Sequence, residues 1–185
     1  MYNRINAIKS GNWSDPNTWF AGIFPNSEDE VYCNGNIINI DVNVEAKLIT
    51  NLQTYPDTYK GYFTVEDNIT IKSEINCGYE PLIKFSGNNL RILGDVYGST
   101  YNSGFACIEN FGTGTIEISG TIKGGNGGNA YGILNNNTGT INLTGNVYLG
   151  LGGYSYAIYN DNNGKIIING IESTENGGYG GQPQY

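Results

Sequence analysis

The chain has 185 residues, 14% of them charged, and nine basic against 17 acidic side chains leave a net charge of −8. With only two arginines, Arg4 and Arg91, and no basic cluster, it lacks the electrostatic footprint of a nucleic-acid or anionic-membrane binder. The 28 glycines and 28 asparagines suit turns at positive φ, whereas 15 tyrosines and regularly alternating isoleucines are not the composition of a disordered chain.

Residues 1–30 are expected to form an N-terminal cap. The opening Met1-Tyr2-Asn3-Arg4-Ile5-Asn6 is not followed by the apolar segment of a secretory leader, and the expectation is synthesis in the cytoplasm of a host cell. Next comes Ser10-Gly11-Asn12-Trp13-Ser14-Asp15-Pro16-Asn17-Thr18-Trp19, then Pro25, Asp29, Val31, Gly35 and Ile40-Asp41. Trp13 and Trp19 are the only tryptophans and precede the first strands. They are assigned as bulky apolar cover for a solenoid end, with sugar stacking as the alternative. This opening, over roughly residues 8–50, resembles the start motif of G8-like β-helix proteins and of β-helical proteins in bacteriophage virions and on bacterial surfaces. The resemblance implies a β-helix whose first coil lies under the tryptophans.

A parallel β-helix is expected over residues 31–178. Asn36–Val44 reads as its first strand layer, Ile69–Ile75 as part of another coil, and Tyr79–Ser103 as a coil offset by one residue in its turn. From Gly104 the chain repeats without gaps over 104–128, 129–153 and 154–178, each of 25 residues. Ile108, Ile133 and Ile158 recur in one column, Ile116, Ile141 and Ile166 in another, and Asn110, Asn135 and Asn160 in a third. Alternation such as Ile116-Glu117-Ile118 is strand, and short strands without helices bury their apolar faces only against the next coil. Twenty-five residues are too few for a propeller blade. About six coils at ~4.8 Å give a rod near 30 Å long. The Gly-rich tail, 179–185, contains no capping helix, so the last coil needs cover from the tail, a neighbouring subunit or a further domain.

Chemistry-bearing residues are sparse. Glycoside hydrolysis needs two carboxylates about 5–9 Å apart. The candidates Asp95, Glu109, Glu117, Asp161, Glu172 and Glu175 are not expected to share a column in adjacent coils. A lyase needs a basic residue, and Arg91 is the only arginine in the repeats. Cys33, Cys77 and Cys107 are widely spaced and odd in number, with no metal or disulfide pattern, and read as small buried residues in a reducing compartment. Gly124–Asn129 is a glycine corner lacking the aspartate of a calcium repeat. No cofactor and no metal are expected. Tyr131 and Tyr156 share one column, and Tyr79, Tyr154 and Tyr179 another beside it, as a ladder, a subunit interface or a glycan strip.

The expectation is therefore a non-catalytic structural protein of a phage virion: a fibre, spike or decoration subunit, as the resemblance implies. It would form a homo-oligomer, with three chains suggested by phage fibres. Its partners would be other virion proteins and, at the host surface, glycan; nucleic acid and membrane insertion are not expected. The alternatives are a cell-surface carbohydrate-binding adhesin and a polysaccharide-degrading tailspike.

Overall fold

The computed structural model describes residues 3–51, 61–78, 81–99, 105–151 and 155–180. Alternating apolar residues place short strands in pairs or triplets along successive coils of an all-β parallel solenoid. Strands β1 (Asn3–Asn6) and β2 (Gly11–Asn12) make the first coil, β3 (Asp29–Tyr32) and β4 (Ile37–Asn39) the second. Then come β5 (Val44–Thr50) with β6 (Tyr62–Val65), and β7 (Ile69–Asn76) with β8 (Ile83–Phe85). From there each coil has three strands: β9 (Asn89–Leu93), β10 (Val96–Tyr97) and β11 (Ala106–Asn110); β12 (Thr115–Ser119), β13 (Ile122–Lys123) and β14 (Tyr131–Asn135); β15 (Thr140–Thr144), β16 (Val147–Tyr148) and β17 (Ile158–Asn160). The last strands are β18 (Lys165–Ile168), β19 (Ile171–Ser173) and β20 (Gly177–Tyr179).

Parallel pairing joins these strands into three ladders. One runs β2-β4-β6-β8-β11-β14-β17. A second links β9, β12, β15 and β18, and a third links β10, β13 and β16; the long strands β5 and β7 belong to both. Along the third, Ile5, Val31, Ile49, Ile75, Val96, Ile122 and Val147 stack one above another. Along the first, Ile38, Phe63, Ile83, Ile108, Ile133 and Ile158 do the same. All but Val147 are buried, and each such side chain withdrawn from water contributes about 1.5–3 kcal/mol. The core is this set of columns.

Coil length varies upstream and settles downstream. Registers step by 27, 25 and 20 residues along Gly11, Ile38, Phe63 and Ile83, then by 25 through Ile108, Ile133 and Ile158. Phe85 stacks on Val65 and below Asn110, so the buried asparagine column replaces an apolar one. Asn110 donates to Asn135 at 2.8 Å and Asn135 to Asn160 at 2.9 Å. Asn135 and Asn160 also donate to the carbonyls of Gly139 and Gly164. A side chain at Gly164 would overlap the Asn135 amide, so glycine there is what admits the asparagine.

The two ends depart from the expected boundaries. β1 and β2 already pair in register with β3 and β4, so stacking begins at Asn3, ahead of Asn36–Val44. At the other end the parallel stack stops at Ile168. Asn169 and Gly170, at φ 51° and 81°, turn β19 back antiparallel on β18, and β20 lies antiparallel on β17. Consecutive positive φ values are those of a type I′ hairpin turn, for which Asn-Gly is favoured. The parallel stack thus ends in two antiparallel strands of the chain itself.

Candidate functional site

The opening motif folds as one hydrogen-bonded unit. Trp13 donates its backbone N–H to Asn39, and the Trp19 indole donates to the Trp13 carbonyl at 2.8 Å. The rings meet edge-on with centroids 4.9 Å apart, and Trp13 also packs on Phe63. Asp41 accepts from the backbone and hydroxyl of Ser14; Asp15 caps the turn over Pro16–Thr18; the Thr18 hydroxyl donates to the Asn12 carbonyl. Trp13 and Trp19 are buried to 2% and 0% exposure, which removes both from sugar stacking and leaves them as packing.

Two carboxylates do share a column. Ile75 pairs with Val96, so Glu74 and Asp95 precede them on adjacent coils in one open groove of about 370 Å³, lined also by Ser27, Glu45, Lys72 and Ser73. Burial, reinforced by the nearby Asp95 charge, pushes the Glu74 carboxyl above the usual carboxylate range. Asp95 accepts from the Thr121 backbone N–H at 2.7 Å and from the Tyr97 hydroxyl at 3.2 Å. A raised acid beside a second carboxylate is a proton donor in chemical terms, but both Asp95 oxygens already tie this coil to itself and to the next. Sequence reasoning named Asp95 and missed Glu74 because the coil between them is 21 residues long by the Ile75–Val96 register, not 25.

The other named carboxylates stay apart. Glu109 faces outward and is pushed up by burial against the opposing effect of Lys84. Glu117 lies between Arg91 below and Asn142 above. Glu172 pairs with Lys165 at 2.9 Å, the Glu175 carbonyl accepts from Asn160, and Asp161 is exposed. Compared with family models, curated proteins and solved structures, the chain matches none of them.

Tyr131 and Tyr156 keep the shared position that the Ile133–Ile158 register gives them, and Tyr159 joins them. Tyr131 stacks on Tyr159 with centroids 4.9 Å apart and planes 21° apart, and Tyr156 tilts onto Tyr159 at 6.2 Å. Burial, then the neighbouring Tyr159 and Tyr156, raises the Tyr131 hydroxyl. Tyr159 was not singled out, since its column holds Glu109 and Leu134. Tyr179 leaves the 25-residue register: it pairs antiparallel with Ile158, packs on the core, and its hydroxyl donates to the Glu175 carbonyl at 2.6 Å. A side chain at Gly178 would overlap the Tyr156 ring, so β20 lies directly on that tyrosine. Tyr79 and Tyr154 lie outside the described residues.

The cysteines, widely spaced in sequence, are all buried, and none of the three is in a disulfide. Burial pushes Cys33 up to about 12 and Cys107 well above the ordinary thiol value, with the Cys77 contact adding to the latter. Among the described residues, no group of three or more His, Cys, Asp or Glu is placed to hold a metal ion.

Proposed function

We propose that the chain is a non-catalytic structural subunit of a bacteriophage virion, a fibre, spike or decoration protein, acting by assembly as a homo-oligomer. The observation that carries this reading is the continuous column of stacked side chains from Ile5 to Val147, buried as far as Ile122. A rod built this way is stiff along its axis, because each coil is held by its neighbours on both sides. The resemblance of Ser10–Asp41 to phage and surface β-helix proteins points the same rod towards a virion. The engagement of Asp95 by Thr121 and Tyr97 supports a role in joining coils rather than in chemistry. Because β19 and β20 cross the last coil, the oligomer is proposed to pack side by side rather than end to end. Phe111 and Tyr148, 46% and 40% exposed, supply apolar surface for it.

An antibody raised against the purified chain should label intact phage particles released on lysis of the producing host, seen by immunogold electron microscopy. Labelling confined to the surface of the producing cells would overturn the virion assignment in favour of the adhesin. One observation favours that second reading: the Tyr131–Tyr159 pair on the outer face is of a kind that stacks on sugar rings.

A further inference from the structure

We propose that Asn126, in the glycine corner between β13 and β14, is a self-modification site, where the side-chain amide is lost to attack by the Gly127 nitrogen and the chain gains a carboxylate. The reaction belongs to Asn-Gly pairs, because glycine has no Cβ to keep its nitrogen away from the preceding side chain. The chain holds five such pairs, at Asn34, Asn126, Asn163, Asn169 and Asn176, and the fold treats them differently. The Asn34 amide donates to the Ala7 carbonyl at 3.1 Å. Asn169 exchanges two hydrogen bonds with the Gly145 backbone, both at 2.9 Å. Asn176 occupies the repeat position of Asn126 two units on, but its Oδ1 accepts from the Asn163 N–H at 2.7 Å. Gly164, which follows Asn163, is buried and its carbonyl accepts from the Asn160 amide. The Asn135 amide and the carbonyls of Asn137 and Gly139 fill the place a Cβ would take there. In these four pairs the amide or the attacking residue is held in place.

Asn126 is held in neither way. Its side chain is exposed and has no hydrogen-bond partner among the described residues. The corner is fixed at its shoulders, where the Gly125 N–H donates to the Ala130 carbonyl and the Asn126 N–H to the Ser99 carbonyl, each at 2.8 Å. The Ser155 hydroxyl donates to the Gly127 carbonyl, on the far side of the Gly127 Cα from the attacking nitrogen. That nitrogen attacks the Asn126 side-chain carbonyl carbon and closes a five-membered succinimide. The carbon–nitrogen bond of the amide breaks, and ammonia leaves with the proton that the Gly127 nitrogen gave up. Water then adds to either ring carbonyl, and the ring opens to aspartate or to isoaspartate, whose main chain runs through Cβ. No atom is oxidised or reduced, and water is the only co-reactant. Each event adds one negative charge to the net −8. Isoaspartate also adds one backbone atom between the Ser99 anchor and the Gly127–Ser155 bond, so it displaces that bond while Ile122 and Ile133 keep their columns.

The test is to incubate the native full chain in mildly alkaline buffer, withdraw samples over weeks and map tryptic peptides by mass. Deamidation makes a peptide one mass unit heavier, and fragmentation of peptide 124–165 separates Asn126 from Asn163. Asn126 is expected to react several-fold faster than each of the other four pairs. A methyltransferase specific for isoaspartate should label the aged chain chiefly there. In guanidinium chloride the five pairs should converge to similar rates, because the restraints of the fold are gone. Asn126→Gln should remove the fast phase and leave the melting temperature of the fresh chain unchanged, since the side chain is exposed. A native rate at Asn126 no higher than at Asn163 or Asn169 would overturn the proposal, as would label concentrated at another pair. The native order of rates persisting in denaturant would also overturn it, because local sequence rather than the corner would then be the cause.

Discussion

Asn135 occupies a site that two coils earlier holds Phe85. An amide in such a place costs several kcal/mol if it is unpaired, but it accepts from Asn110 and donates to Gly139 and Asn160. The column was legible in the sequence because identical residues recur at one spacing. Glu74 was not, because it aligns with Asp95 only once the short coil between them is known. Its ionised form is disfavoured by burial and by Asp95, so the folded state binds its proton more tightly than the unfolded chain does. The stability it contributes is therefore fully present below the unfolded value of 4.5 and is lost as pH rises through the higher folded value. Glu74→Gln is expected to raise stability at pH 7 by roughly a few tenths of a kcal/mol, since the carboxyl is only partly withdrawn from water and the rest is screened. The gain should vanish below pH 4 when urea midpoints are compared across pH. A midpoint lowered by the substitution at pH 7 would show that the charge is favourable where it sits.

At the scale of strands, the legible part is the part that repeats. Strands β11, β14 and β17, and likewise β12, β15 and β18, fall where the isoleucine columns place them. β13 and β16 lie in the same units, and β10 in the coil before them. What was hidden is the reversal at Asn169-Gly170, because the next residues, Asn176-Gly177-Gly178, still match the earlier repeats and suggest that the coil continues. The available signal was the dipeptide itself: the preceding units carry Ser119-Gly120 and Thr144-Gly145 at that position, and only Asn-Gly favours a type I′ turn. The Tyr131–Tyr159 stack was hidden for a related reason, since it joins positions that do not share a column. Gly170 sits at φ 81°, outside the range of a β-branched residue, so Gly170→Val is expected to cost about 1–2 kcal/mol and to release the end hairpin. Hydrogen exchange should then lose protection at Ile171–Ser173 and Gly177–Tyr179 while Thr115–Ser119 keeps it. Unchanged protection in the hairpin would mean that Tyr179 and β20, rather than the turn, hold the end in place.

For the whole molecule, the stack begins with β1 and β2, with Trp13 and Trp19 buried in the core beside them, and ends with β19 and β20 laid antiparallel on β18 and β17. Closure matters for a solenoid, because an open coil offers unpaired edges for indefinite pairing. In the proposed subunit association runs along the sides of the rod, where a net charge of −8 opposes non-specific clustering and apolar contact must come from residues such as Phe111 and Tyr148. The most direct measurement is the mass of the native protein by light scattering over a range of concentrations. The proposed virion subunit should give one species at three times the 20.1 kDa chain mass, unchanged on dilution. A monodisperse species at the chain mass itself, at every concentration, would contradict the side-by-side assembly and leave a self-contained rod whose outer face works alone.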